Sequence, residues 1–394
     1  MPHAGKSVAA LFLMLAMLAG PQRATAADPY DISVILSTTG VAAFLGTEEK
    51  QALGILESYV NKTGGIQGRP VHFVILDDTS NPGIAVQLAN HVIADKAPLL
   101  LGPGFTATCK AVEPLMTNGP LNYCFSPAGG GPPGSFVFSA SFATPDGYKT
   151  LVRYFRLRGA KRIALLTSTD ATGQDGERGI VAASQLTENR DVTVVAQEHL
   201  NPTDISATAQ MTRITAAKPD VLIAWAIGAP LTTMLRAIND TGYAGPVITS
   251  HGNMTYGQMN QLTPILPKGG LFFASPRFLS RDFMRPGPLL DAVNTFYAAF
   301  RAAGVAPDAA HTFAWDPGLI VVEALRHVGT KATAAELRGY IEKMHGFYGV
   351  VGQYDFRDGS QRGITGNDVV ISRWNSDTTT WVAVSAPGGT PHGS

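Results

Sequence analysis

Short apolar runs rich in β-branched residues alternate with longer helical patterns between residues 32 and 249. In the segment 47–63, Ala52, Leu56 and Val60 recur at the helical period, and Gly64-Gly65 follows as a stop signal. This alternation predicts parallel βαβ units and therefore an α/β fold. The predicted strands lie at 32–36, 71–76, 98–101, 121–125, 162–166, 192–197, 221–225 and 247–249. The predicted helices lie at 47–63, 82–96, 147–158, 177–189, 205–218 and 231–241, with a further helix beginning near Thr106.

The strand–helix plan occurs twice, with a break near Pro145, so we expect two lobes that each contain a doubly wound parallel sheet. After about residue 271 the pattern changes to helices and then to a tail that alternates like antiparallel strands, with Asp358-Gly359 as a turn. The late helices are predicted at 289–303, 311–328 and 334–343.

Because the late helices must pack on an earlier part of the chain, we expect lobes built from non-contiguous segments. Lobe 1 would comprise residues 27–143 and 276–352, and lobe 2 residues 144–275 and 353–394. The chain would cross between the lobes near 139–144, 274–277 and 349–354. Three such crossings could act as hinges that let the lobes close around a ligand.

The first 26 residues have the layout of a secretory signal peptide. His3 and Lys6 give a positive start, an apolar run from Val8 to Gly20 follows, and Ala24 and Ala26 are the small residues before a cut. The apolar run is shorter than the roughly 20 residues that a membrane span needs. We therefore expect export, cleavage after Ala26 and a periplasmic mature protein.

The charge balance argues against several classes of partner. Lysine plus arginine and aspartate plus glutamate each number 30, with no long run of either sign. Nucleic acid and anionic membranes are bound through basic faces, so neither is expected as a partner. The two cysteines, Cys109 and Cys124, would lie at neighbouring points of a βαβ unit, so a disulfide is plausible in an exported chain. Two separate buried thiols remain the alternative.

Sequence motifs of catalysis and cofactor binding are missing. The chain has no Gly-x-Ser-x-Gly elbow, no phosphate-binding Gly-x-x-x-x-Gly-Lys-Ser/Thr loop and no His-Glu-x-x-His pair. The nine histidines have no metal-ligand spacing, and Gly102-Pro-Gly104 is only a fragment of a dinucleotide fingerprint. We expect a binding protein without an enzymatic activity, a cofactor or a metal ion.

Several ordered segments resemble the leucine/isoleucine/valine-type family of periplasmic substrate-binding proteins. The most specific is residues 61–70, NKTGGIQGRP, which is similar to the helix end and tight turn before the second strand in that family. Residues 36–40, 74–78, 102–106, 126–128 and 315–317 continue the resemblance. It implies the type I periplasmic binding fold, a ligand held between the lobes, and delivery to an ABC permease with cytoplasmic ATPase subunits. A free monomer is the default for this architecture.

Ligands of open α/β sheets bind outside the carboxyl ends of the strands. This rule selects the loops 104–108, 126–130, 169–173, 225–228 and 250–253. Thr106 and Ala107 stand where a helix begins, and Thr106 would offer a hydroxyl beside free backbone N–H groups to a carboxylate. Ala128, Gly129 and Gly130 would offer the ligand backbone groups that no large side chain covers. The alternative for Thr106 is an ordinary helix cap, and the alternative for residues 128–130 is a tight turn.

The departures from the family pattern concern the group that holds an amino acid's ammonium. His251 stands at the family's acidic position, Gly173 and Gly228 stand where tyrosines would be, Leu45 replaces another tyrosine and Gly130 a threonine. Asp170 or Asp146 could supply the missing anion. Without one, a buried ammonium would be costly, which favours an aromatic acid or 2-keto acid over an amino acid. His251 would donate a hydrogen bond to a keto or hydroxyl group of the ligand, or it would lie near the rim of the cavity without contacting the ligand.

Overall fold

The structure is a computed structural model that describes residues 27–392, so the predicted signal peptide lies outside the described residues. Two sheets with helices on their faces form the two lobes, as the α/β pattern predicts. The strands of the first sheet are parallel and have the order β2-β1-β3-β4-β5. They are β1 (Tyr30–Leu36), β2 (Val71–Asp77), β3 (Leu99–Leu101), β4 (Leu121–Cys124) and β5 (Val137–Ser139).

The second sheet has the order β14-β13-β10-β9-β8-β6-β7 and ends in two antiparallel strands, β13 and β14. A separate antiparallel pair, β11 and β12, stands apart from both sheets. The strands are β6 (Arg162–Ser168), β7 (Thr193–Leu200), β8 (Val221–Trp225), β9 (Val247–Ile248), β10 (Leu271–Ser275), β11 (His345–Tyr348), β12 (Gln353–Asp355), β13 (Val370–Asn375) and β14 (Thr380–Ala383).

The predicted helices are present in the predicted order, with one further short helix, α8 (Tyr256–Leu262), that the pattern does not predict. The late helix α10 packs along α1 in lobe 1. Among the helices of residues 27–392, none has the length and hydropathy needed to cross a bilayer. The helices are α1 (Ala43–Lys62), α2 (Pro82–Ala94), α3 (Thr106–Val112), α4 (Thr144–Leu157), α5 (Ala171–Ser184), α6 (Thr208–Ala216), α7 (Ala229–Asp240), α8 (Tyr256–Leu262), α9 (Pro288–Ala302), α10 (Ala309–Val328) and α11 (Ala334–Ile341).

The buried strands explain why the sequence pattern is strong. Every residue of β3 and of β8 is buried, because helices cover both faces of a parallel sheet. Each strand therefore appears in the sequence as a continuous apolar run. The short strand β5 was not predicted, since three residues carry too little pattern.

The chain passes between the two sheets after β5 and again after β10. Residues Gln353–Asp355 pair with β11 and do not start the second sheet. The chain therefore passes to β13 through residues 356–369. We propose that the lobe boundaries lie in these three segments.

The turn between β11 and β12 is fixed by Asp316, a fully buried residue in the middle of α10. Its carboxylate accepts hydrogen bonds from the backbone N–H groups of Val350 and Val351 at 2.9 and 3.0 Å. The hydroxyl of Tyr354 donates a third at 2.9 Å. Burial raises the pKa of Asp316 to about 6, although these three donors favour the ionised form. Asp316 thus joins α10 to the segment that precedes the third connection.

Cys109 on α3 and Cys124 at the end of β4 form a disulfide, with 6.2 Å between their Cα atoms. The structure therefore has the bridge and not the alternative of two separate thiols. The backbone of Gly129 lies against both sulfur atoms, because a Cβ there would stand 2.6 Å from one and 2.8 Å from the other. The bridge supports the loop that follows β4.

Candidate functional site

A cavity lies between the lobes, at the carboxyl ends of strands from both sheets. Each of the five loops that the strand-end rule selects contributes at least one residue to its wall. From lobe 1 come Leu45, Gly104, Phe105, Thr106, Ser126, Pro127, Ala128 and Phe313. From lobe 2 come Thr144, Tyr148, Thr172, Asp175, Trp225, Ile227, Ser250, His251 and Gly252.

A pair of hydroxyl groups forms the polar end of the cavity in lobe 1. The oxygens of Thr106 and Ser126 lie 3.0 Å apart, and the backbone N–H of Ala128 donates to Ser126 at 3.3 Å. Thr106 is the first residue of α3, and the N-cap position is taken by Phe105. Two hydroxyls beside backbone N–H groups can donate to the oxygens of a carboxylate.

Aromatic side chains form much of the remaining wall. The rings of Tyr148 and Trp225 meet edge to face with their centroids 5.0 Å apart. Two glycines of α5 make room for them, since a Cβ at Gly176 would lie 2.3 Å from Trp225 and one at Gly179 would lie 2.0 Å from Tyr148. Phe105 and Phe313 face the cavity from lobe 1. The spacing of Gly176 and Gly179 is the one sequence signal that could have indicated the Tyr148–Trp225 pair.

An acid of lobe 2 lines the cavity, and sequence reasoning missed it. Asp175 accepts a hydrogen bond from the Tyr148 hydroxyl at 2.9 Å through its Oδ2 atom. Burial and the adjacent carboxylate raise the pKa of Tyr148 well above its usual range, so the phenol stays protonated. Within residues 27–392, no hydrogen bond is made to the other oxygen of Asp175, Oδ1.

His251 lines the cavity as a neutral side chain. It is 4% exposed, and its ring lies 4.8 Å from Phe142 and 5.6 Å from Phe313. In the described part of the chain, neither ring nitrogen has a hydrogen-bond partner. Burial lowers the pKa of His251 to about 3, and the positive charge of Arg362 contributes. A neutral imidazole with one donor and one acceptor nitrogen is therefore available to a ligand.

Six of the residues selected from the sequence lie outside the cavity wall. They are Ala107, Gly129, Gly130, Asp170, Gly173 and Gly228. Asp170 caps α5, where it accepts from the Gly173 N–H at 3.0 Å and from the Ser168 hydroxyl at 2.7 Å. Gly173 packs so tightly that a Cβ would lie 1.8 Å from the Ser168 carbonyl oxygen. In this loop the neighbouring residue Thr172 reaches the cavity instead.

Gly228 lies at a contact between the lobes. Its φ of +71° is in the left-handed region, and a Cβ would stand 3.2 Å from the Val41 carbonyl oxygen and 3.3 Å from the Phe44 ring. Val41 and Phe44 belong to lobe 1, at the start of α1. A side chain at Gly228 would press on the opposite lobe.

Arg362 was not predicted from the sequence as a site residue, although its side chain binds the backbone of a loop that lines the cavity. Its guanidinium donates to the carbonyl oxygens of Pro127 and Gly129 at 3.0 and 2.7 Å. It also donates to those of Ala140 and Ser141 at 2.7 and 3.2 Å. Burial lowers the pKa of Arg362 to about 10, so it is charged at neutral pH. A cation thus lies behind the loop that carries Ser126 and Ala128.

A buried ion-pair cluster joins α1, α10 and the start of α8. The His311 Nδ1 lies 2.7 Å from an oxygen of Asp308, and its Nε2 lies 3.0 Å from an oxygen of Glu48. Burial alone would lower the pKa of His311, but Asp308 and Glu48 outweigh it and raise the pKa to about 9. Asp308 also accepts from the Tyr256 backbone N–H at 3.1 Å, which links α10 to lobe 2. These three side chains are close enough to hold a metal ion, but their contacts are those of an ion-pair cluster.

Comparison with known proteins gives the same family as the resemblance. The chain is 24% identical over 229 residues to the Leu/Ile/Val-binding protein homolog 3 of Brucella melitensis biotype 1. This match covers 56% of the chain and 61% of that relative, so less than two thirds of the relative's length is spanned.

Two solved structures have the same fold. One is LivJ of Streptococcus pneumoniae in complex with isoleucine, with a TM-score of 0.73 and 17% identity over 90% of this chain and 99% of that one. The other is a solute-binding protein of an ABC transporter from R. palustris in complex with benzoate. Its TM-score is 0.72, with 17% identity over 92% of this chain and 97% of that one.

The model of the periplasmic binding protein family matches residues 29–379, which include the first sheet, all strands of the second sheet except β14, and every residue of the cavity wall. With its two α/β lobes and the cavity between them, the chain belongs to this family of periplasmic binding proteins.

Proposed function

We propose that the protein captures a small carboxylate with an apolar or aromatic body and delivers it to an ABC importer. The observation that carries this proposal is the cavity between the lobes, which combines a pair of hydroxyls with four aromatic side chains. The Thr106–Ser126 pair would hold the carboxylate, and the rings of Phe105, Tyr148, Trp225 and Phe313 would surround the body.

The neutral His251 supports a ligand that lacks an ammonium group. An imidazole with a pKa near 3 offers no negative charge to a cation, and its unpartnered nitrogens suit a keto or hydroxyl group. The benzoate-bound relative from R. palustris demonstrates that this fold can hold an aromatic acid. An aromatic acid or an aromatic 2-keto acid is therefore the ligand class we propose.

An amino acid is the second candidate, and Asp175 is the observation that favours it. This acid lines the cavity, and its Oδ1 oxygen has no hydrogen bond among residues 27–392. It could accept from a ligand's ammonium while Oδ2 keeps the Tyr148 hydroxyl. The isoleucine-bound LivJ has the same fold, which is compatible with this alternative.

Calorimetry with phenylpyruvate and phenylalanine separates the two candidates, since the ligands share a body and differ at the keto or amino group. We expect phenylpyruvate to bind and phenylalanine to bind at least tenfold more weakly, because a buried ammonium without a dedicated anion is costly. Binding of phenylalanine or leucine that Asp175→Asn abolishes would establish the amino acid alternative. If neither these ligands nor benzoate bound, the proposed ligand class would be wrong.

Thr106→Ala should weaken a bound carboxylate by about 1–3 kcal/mol, roughly 5- to 150-fold in Kd, because a hydrogen bond to a charged group is lost. Titration calorimetry with the tightest ligand of the panel measures this change. Thr117→Ala, an exposed threonine of the same lobe, serves as the control. Unchanged affinity in Thr106→Ala would remove this hydroxyl from the site.

The family assignment supports a role outside the cytoplasm with a membrane permease and its ATPase subunits as partners. A ligand that contacts both lobes favours their closed arrangement, which a permease can recognise. The same closure could present the ligand to a sensory receptor, which remains the alternative partner. Uptake of the labelled ligand by cells that lack this protein distinguishes the roles, because loss of uptake is expected only for a transport component.

A further inference from the structure

We propose that Arg362 is the residue that makes this cavity select anions, and that it acts through the backbone of the ligand loop, residues 126–130. This inference rests on the proposed function and adds a positioning residue to it. Arg362 lies outside the cavity wall, so it does not touch the ligand directly.

The hydrogen bonds of Arg362 hold the ligand loop in the shape that the structure shows. Its Nη2 atom donates to Pro127 and Gly129, which flank Ala128 in the cavity wall. The loop is held from its other side by Glu113, whose carboxylate accepts from the Gly130 N–H at 2.8 Å. Because the Pro127 and Gly129 carbonyls are bonded to the guanidinium, the loop keeps the position in which Ser126 lies beside Thr106.

The charge of Arg362 lacks a direct counter-ion. Among the described residues, no carboxylate forms an ion pair with it, and its four acceptors are neutral carbonyl oxygens. Asp146 and Glu113 act on it only at longer range. A partly buried cation whose hydrogen-bond partners are neutral carbonyl groups creates a positive electrostatic potential around it. The cavity lies on the other side of the ligand loop from Arg362, within reach of this potential. A ligand carboxylate at Thr106 would supply the missing negative charge.

Arg362 also belongs to a connection between the lobes. It is in the segment 356–369, and its Nη1 atom donates to Ala140 and Ser141 in the first connection. One side chain therefore joins the ligand loop to two of the three segments that link the sheets. Ligand binding and lobe closure are thus mechanically connected at Arg362.

Benzoate and benzamide test the inference, because they are similar in shape and differ in charge. We expect Arg362→Met to weaken benzoate about tenfold relative to benzamide. Arg362→Lys should restore only part of the preference for benzoate, since the charge returns without the four hydrogen bonds that hold the loop. Arg326→Met is the matched control, because Arg326 also donates to a backbone carbonyl, that of Gly65, but lies away from the cavity.

A second measurement does not depend on the ligand. NMR titration of the His251 ring in the free protein should give a higher pKa in Arg362→Met than in the wild type, and an unchanged one in Arg326→Met. Equal weakening of benzoate and benzamide would overturn the inference and leave Arg362 a structural role only. If neither probe bound the wild type, the proposed ligand class would fail, and an unchanged His251 pKa would then overturn the inference by itself.

Discussion

Asp316→Ala is expected to lower the free energy of unfolding by about 3–5 kcal/mol. The substitution leaves three buried donors without an acceptor, namely the N–H groups of Val350 and Val351 and the hydroxyl of Tyr354. Asp316 and Tyr354 are fully buried, so bulk solvent does not reach these donors in the folded protein. Urea unfolding of the two proteins, followed by circular dichroism, measures the difference.

Asp316→Asn provides the comparison, since its amide keeps one oxygen acceptor in the same place. We expect it to lose less stability than Asp316→Ala, because fewer of the three donors remain unpaired. An Asp316→Ala loss below about 1 kcal/mol would mean that the β11–β12 turn finds other partners. The role assigned to Asp316 would then be wrong.

His311→Gln is expected to reduce stability by about 3 kcal/mol at pH 7, because it removes the cation between two carboxylates. Glu48 and Asp308 would then remain close together without a positive charge. His327→Gln is the matched control, since His327 lies on the same helix with an exposed ring that pairs with one carboxylate, that of Glu323, and contacts Tyr340. Its unfolding free energy should stay within about 0.5 kcal/mol of the wild type.

The pH dependence of the His311 contribution follows from its raised pKa. The pKa is about 9 in the folded protein and 6.5 for an ordinary histidine, so the contribution is fully present below pH 6.5. It is lost as the pH rises through 9, when the folded protein also releases the proton. The gap in stability between wild type and His311→Gln should therefore shrink between pH 7 and 10. An equal difference in unfolding free energy between wild type and His311→Gln at pH 7 and at pH 10 would contradict the ion-pair account.

The sequence predicts the order of strands and helices well because burial on both faces gives each parallel strand a continuous apolar run. Boundaries that depend on distant contacts are predicted poorly. Helix α1 starts at Ala43, four residues before its predicted start, and its N-cap residue Ala42 has no side-chain cap. The Ser80 hydroxyl instead accepts from the Ala42 N–H at 3.0 Å. A serine 38 residues away leaves no local signal at this position.

The candidate site was predicted at the level of loops and less well at the level of side chains. The strand-end rule finds all five loops that reach the cavity, because it concerns backbone topology alone. It cannot state which side chain of a loop turns inwards, as Asp170 illustrates by turning back to cap its own helix. Tyr148, Asp175 and Phe313 lie on helices beyond these loops, and Arg362 acts from a distant segment. Only packing in three dimensions brings them to the cavity.

Gly228 gives this protein a point at which its sensitivity could be adjusted for use as a biosensor. The position touches the opposite lobe without lining the cavity, so residues of increasing size there would act as a graded spacer. Each increase in size would reduce the fraction of closed molecules while the ligand contacts stay unchanged. The apparent affinity would fall in proportion to that fraction. Asparagine is the natural first step, because it tolerates the left-handed backbone better than other side chains. A set of such variants would report one ligand over a wide range of concentrations.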